Sequence, residues 1–130
     1  MSPFDRAFAF SVGQGDRERY HRDYWISLRA DELPPMLAMV VFDAAVSVSV
    51  GMALRWLHEA VELSPSRTAS DEMVAEACWR NAHEVAAEFT ARRFEYTMCM
   101  VAERDMPAPG LDWARRVCGL LTRIPPIPGG

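Results

Sequence analysis

The chain has 130 residues, 50% hydrophobic and 25% charged, which suits one domain with a buried core and is too apolar for a disordered chain. No apolar stretch reaches the roughly 20 residues of a membrane-spanning helix, and the N-terminus, with an acid at Asp5, lacks the basic cluster and apolar run of a secretory leader. The net charge of −4 offers no basic face to nucleic acid, so the sequence reads as a cytoplasmic protein with neither nucleic-acid nor membrane partners.

Helix signals begin at once. Ser2-Pro3-Phe4-Asp5 is a capping box with proline at the first helical position. Phe4, Ala7, Phe8 and Phe10 give that helix an apolar side, and Gly13-Gln14-Gly15 ends it. Asp16 caps a second helix bearing Tyr20, Tyr24 and Trp25 on one side and Arg17, Glu18, Arg19, Arg22 and Asp23 on the other. The chain breaks at Asp31-Glu32-Leu33-Pro34 and restarts at Pro35. From Met36 to Val61 it is apolar and free of proline, and the alternating Val46–Val50 run followed by Gly51 predicts a bend between two helices.

Ser70 is an N-cap for the next helical stretch, with Asp71 and Glu72 at its positive end. Between Asp71 and Asp105 there is neither glycine nor proline, which predicts one long helix or two meeting near His83. Val74, Cys78, Asn81, Val85, Phe89, Arg92 and Tyr96 form its expected buried stripe. Pro107-Ala108-Pro109-Gly110 precedes a last helix with Trp113, Val117 and Leu121. The expected organisation is a single helical domain over 1–123 and a Pro/Gly-rich tail over 124–130.

The individual side chains read mostly as structure. Trp25, Trp56, Trp79 and Trp113, spread one per helix, are expected in the core, as are the eight Met residues. Cys78, Cys99 and Cys118 are odd in number, widely spaced and set among apolar neighbours, which reads as buried free thiols. With no CxxC, and His21, His58 and His83 away from ligand spacing, no metal and no cofactor are expected. His58 and His83 lack a nearby nucleophile in sequence. Glu59 and Glu62 read as solvated. Asp43, inside an apolar run, is expected to pair with an arginine or a backbone amide. All 14 basic residues are arginine, each able to grip a carboxylate with two nitrogens, and most read as lying on solvated helix faces.

Two stretches are distinctive: Tyr20-His-Arg-Asp-Tyr-Trp25 running into Arg29-Ala-Asp-Glu-Leu-Pro34, and Val41-Phe-Asp-Ala-Ala-Val46 followed by Gly51 and Ala53-Leu-Arg-Trp-Leu57. With Phe4-Asp-Arg-Ala-Phe8 and Trp113-Ala-Arg-Arg-Val117, they resemble the phage-type N-acetylmuramidases of glycoside hydrolase family 108. The resemblance implies a lysozyme-superfamily fold and activity on the glycan strand of peptidoglycan. It is strongest from Tyr20 to Val61. The expected fold is all-α, a compact bundle of five to six helices with a truncated muramidase-like core.

The family carries its catalytic acid in a Glu-Gly-Gly-Tyr motif at the end of the first helix. This chain reads Val12-Gly13-Gln14-Gly15-Asp16 there, with Gly15 at the acid's position. The lobe that follows in the family is missing, because Asp16 to Arg19 runs directly into the Tyr20 motif. Glycoside hydrolysis needs a protonated carboxyl in an apolar cleft beside a second carboxylate or an oriented water. Asp16 or Glu18 could stand in, but the arginines flanking Glu18 oppose protonation. The resemblance therefore implies a muramidase-derived, non-catalytic binding protein of phage or prophage origin. Its expected partner is a host protein, for instance a bacterial immunity complex blocked in the manner of an anti-CRISPR. The expected binding surface is Arg17, Glu18, Arg19, Arg22, Asp23, Asp31 and Glu32. The alternatives are an endolysin-type muramidase using Asp16 or Glu18, and a peptidoglycan-binding module. The Met and aromatic content leaves room for a homodimer.

Overall fold

A computed structural model describes residues 2–104. The expected last helix with Trp113, Val117 and Leu121, Cys118 and the 124–130 tail lie outside the described residues. Six α-helices follow one another: α1 (Pro3–Ser11), α2 (Arg17–Tyr20), α3 (Pro35–Ser47), α4 (Val50–Ala60), α5 (Asp71–Trp79) and α6 (Ala82–Arg104). Between α2 and α3 lie a π-helical segment, His21–Trp25, and a 3-10 turn, Ala30–Glu32. Among the described residues there is no strand, so the all-α bundle is the observed architecture.

The expected punctuation is in place. Ser2 and Asp5 form the reciprocal capping box, Asp16 accepts the Arg19 N–H, Pro35 opens α3, and Ser70 accepts the Met73 N–H. The valine-serine run bends between α3 and α4, where Ser49 turns extended and caps the new helix through the Met52 N–H. The glycine- and proline-free stretch breaks at Arg80, whose backbone is extended. Asn81 Oδ1 then accepts the Glu84 N–H and starts α6.

α3 is the axis of the molecule. Residues Leu37 to Ala45 are all buried, because α1, α4 and α6 pack around it. Aromatic rings fill the seams. Phe4, Trp25 and Phe42 meet edge to face at 5.3–5.9 Å, and Trp56 meets Phe89 and Tyr96 at 6.0 and 5.3 Å on the other side.

Several side chains sit elsewhere than the sequence suggests. Cys78 and Cys99 are exposed, not buried. Trp25 and Trp56 are core residues, but Trp79, the last residue of α5, is 84% exposed. Met39 and Met73 fill the core, whereas Met98 is exposed. Of the expected stripe, Val85 and Phe89 are buried, and Val74 and Tyr96 pack half-buried against the core. Met73 and Ala77 replace Val74 and Cys78, and Ala86, Thr90 and Arg93 replace Asn81 and Arg92. The restart at Asn81 resets the helical phase, and Arg93 turns inward because it has a buried partner.

Candidate functional site

The Gly13-to-Asp16 stretch lies where α1 hands over to α2. Gly13 and Gly15 take φ of +78° and +127°. Side chains rarely adopt such angles, and a glutamate at 15 would strain this backbone whatever space surrounds it. The turn is thus built on glycine.

The expected stand-ins have other duties. Asp16 is exposed and spends its carboxylate on the Arg19 N–H at 3.1 Å. The Glu18 side chain is 84% exposed beside Arg17. Arg17 also donates through Nε to Asp5 at 2.9 Å and lies over the Phe4 ring, 4.9 Å from its centroid. That guanidinium, with the Ser2 hydroxyl, holds the Asp5 carboxyl down at about 2. Arg22 donates to Asp23 at 2.9 Å and keeps its carboxyl below the ordinary range, with Arg19 3.7 Å away on the other side. Arg17, Glu18, Arg19, Arg22 and Asp23 therefore form one exposed charged strip.

Asp31 and Glu32 belong to a different network. Asp31 accepts the indole N–H of buried Trp25 at 2.8 Å. Glu32 takes two bonds from Arg29, at 2.6 and 2.7 Å, and this depresses its carboxyl pKa. Arg29 itself sits at φ +54° and reaches across to Asp71 at 2.6 Å, tying the 3-10 turn to the start of α5. These two acids hold the fold together and stand apart from the α2 strip.

Asp43 is fully buried. As expected, it pairs with an arginine: Arg93 donates to Oδ2 at 2.6 Å, while the Ser11 hydroxyl donates to Oδ1 at 2.8 Å. One carboxylate in α3 thus fastens the end of α1 and the middle of α6. With that, all six carboxylates of residues 14–48 are placed: four accept a hydrogen bond from an arginine or a tryptophan side chain, Asp16 caps a helix, and Glu18 stands in solvent beside Arg17. None stands free in an apolar cleft.

Sequence reasoning missed two groupings because their members are far apart in the chain. His58 is buried as expected, yet it does have a serine partner. Its Nδ1 lies 2.7 Å from the Leu54 carbonyl and so carries the proton, which leaves Nε2 to accept from the Ser70 hydroxyl at 3.3 Å. The second grouping is a polar cleft of about 540 Å3 between α4 and α6, lined among others by Glu59, Glu62, Arg80, Asn81, Glu84 and Arg92. Glu59 is not solvated as its sequence position suggests. It is half-buried and takes bonds from Arg55 at 2.9 Å and Arg92 at 2.6 Å. Among the described residues no group of three His, Cys, Asp or Glu is placed to hold a metal ion.

Residues 14–48 match the model of the family described as Glycosyl hydrolase 108. No curated protein sequence matches the chain. Among solved structures, SagA from Brucella abortus superposes with a TM-score of 0.68 at 18% identity, over 82% of this chain and 60% of that one. The chain thus spans 60% of the length of that neighbour. The likeness in fold covers the bundle, while the likeness in sequence is concentrated where α2, the π segment and α3 lie. Over residues 14–48 the chain is thus similar in sequence to the glycosyl hydrolase 108 family, and over most of its length it shares the all-α fold of SagA.

Proposed function

We propose that this chain binds the glycan strand of peptidoglycan, the substrate class implied by its glycosyl hydrolase 108-like segment, and does not cleave it with any carboxylate of that segment. The observation that carries this reading is the Gly15 turn, whose φ of +127° disfavours an acid at the aligned position. General-acid catalysis needs a carboxyl kept protonated by an apolar wall. The acids of residues 14–48 instead lie beside arginine, cap a helix or bind an indole N–H. Arginine holds the carboxyls of Asp23 and Glu32 below the ordinary range, and a carboxylate accepts hydrogen bonds from sugar hydroxyls but donates no proton to a leaving oxygen.

Co-sedimentation with purified sacculi, followed by mass spectrometry of the supernatant, tests this. The expected result is retention on the sacculi with no released muropeptides. Release that disappears in the double variant Asp16→Asn/Glu18→Gln would restore a muramidase with a displaced acid.

A second reading is a protein partner, such as a host immunity complex, docking on α2. The exposure of Arg19, Arg22 and Glu18, at 63%, 70% and 84% of their side chains, favours it. Charge reversal at Arg19 and Arg22 would then abolish capture of a host protein without unfolding the bundle. Capture that survives the reversal excludes this surface.

A further inference from the structure

We infer that the glycan lies along the trough between α4 and α6, with Trp79 as a stacking platform at its α5 end. The inference rests on the peptidoglycan reading above and gives it a location distinct from α2.

The trough has the chemistry a sugar needs. A saccharide ring presents a rim of hydroxyl and acetamido groups, each donating and accepting, and a face of C–H bonds that is apolar. Planar side chains with paired donors or acceptors match adjacent rim groups, and an aromatic ring matches the face. Here the walls carry carboxylates, two guanidiniums and the Asn81 amide over a short apolar floor of Ala60 and Val85. Its volume of about 540 Å3 falls in the usual range for small-ligand sites. A second concavity of about 390 Å3 adjoins it through the shared walls Glu59 and Arg92 and leads on to Arg55, Arg67 and Tyr96. The Glu59–Arg92 ion pair is the wall common to both.

Much of this surface is already in position. Arg92 is held by Glu59 at 2.6 Å and Glu88 at 3.1 Å, and Arg80 by Glu76 at 3.0 Å and Glu62 at 3.2 Å. Pinned side chains lose little freedom when a ligand arrives. Among the described residues, the Glu84 carboxylate has no hydrogen bond or ion pair and offers both oxygens to the trough. Trp79 precedes the trough residue Arg80 in the chain and is 84% exposed, the most exposed large apolar side chain described. Leaving an indole in water has a cost that packing in this bundle does not recover, and a sugar face would cover it.

The same residues exclude other ligands. Glu59, Glu62, Glu84 and Glu88 outnumber Arg80 and Arg92, so a polyanion is repelled. Three of those acids already face guanidiniums, which a divalent cation would have to displace.

The test uses the full chain with two probes, purified sacculi by co-sedimentation and the β-1,4 tetramer of N-acetylglucosamine by calorimetry. Trp79→Ala and Glu84→Gln should each weaken binding, Trp79→Ala by about tenfold, the equivalent of about 1.4 kcal/mol. Trp79→Phe should restore most of that loss. Neither position packs in the core, and unchanged far-ultraviolet circular dichroism checks that the variants fold. Arg19→Glu/Arg22→Glu, on α2 and the π segment after it, should leave binding unchanged. Wild-type binding that Trp79→Ala and Glu84→Gln retain in full overturns the trough and leaves the glycan reading standing. Failure of the wild type to bind both probes overturns both.

Discussion

Replacing Asp43 by asparagine keeps the shape of the side chain and an oxygen for the Ser11 hydroxyl, and removes the charge that faces Arg93. Two unit charges about 4 Å apart attract by about 4 kcal/mol at the effective dielectric that describes protein sites. Both partners are buried, Asp43 fully, so solvent screens little of this. Removing one member of a buried pair typically costs about 3–5 kcal/mol, a large part of the roughly 5–15 kcal/mol that holds a domain folded. With a urea m-value of about 2 kcal/mol per M, the midpoint of Asp43→Asn should fall by about 2 M. Arg93→Met should fall comparably, and the double variant Asp43→Asn/Arg93→Met should lose clearly less than the sum of the two. Circular dichroism at 222 nm against urea reads all four proteins. A loss under about 1 kcal/mol for Asp43→Asn, or strict additivity in the cycle, would refute the pair's role as the fastening of α1, α3 and α6.

Gly15→Ala and Gly15→Glu should each lose about 1–3 kcal/mol in urea unfolding, since the cost lies in the positive φ and not in the side chain. Gly15→Glu should moreover release no muropeptides; a wild-type midpoint for either variant would show that the turn relaxes freely. Ser70→Ala removes the α5 cap and the bond to His58 and should cost about 1–2 kcal/mol, part of which Ser70→Asp recovers by capping; equal thermal midpoints for wild type and Ser70→Ala would contradict this. Asp5 titrates at about 2 when folded, below its ordinary 3.8, so its contribution is present above about pH 4 and fades as pH falls towards 2. The urea midpoints of wild type and Asp5→Asn should therefore differ at pH 5 and converge near pH 2, and a difference constant across that range would count against the Asp5–Arg17 pair.

Local signals in this sequence are truthful. Ser2, Asp16, Pro35 and Ser70 each open the helix their chemistry predicts, because a cap acts on amides three residues away. The register of α6 was not legible in the same way. Arg93 looks like a surface residue until Asp43, 50 positions earlier, is placed beside it. Nor could the trough be read, since its walls come from α4, the residues after it, the end of α5 and the start of α6. The exposed Trp79 is indistinguishable by pattern from the buried Trp25 and Trp56. What separates them is the Arg80 break, which ends α5 at that residue and leaves its indole beyond the core. At Gly15 the backbone adds what the sequence does not show, a positive φ that favours glycine.

The burial of α3 on nearly every side bears on how such a protein can change over generations. An element that touches all its neighbours varies only if they vary with it, whereas α2, half in solvent, and the α4–α6 trough are free to diverge. The family match over residues 14–48 reaches that axis. The segment is nonetheless no transplantable module: cut out alone, it would present the apolar flanks of α3 to water and aggregate. A likeness carried by such a segment therefore needs the outer helices around it to persist as a fold.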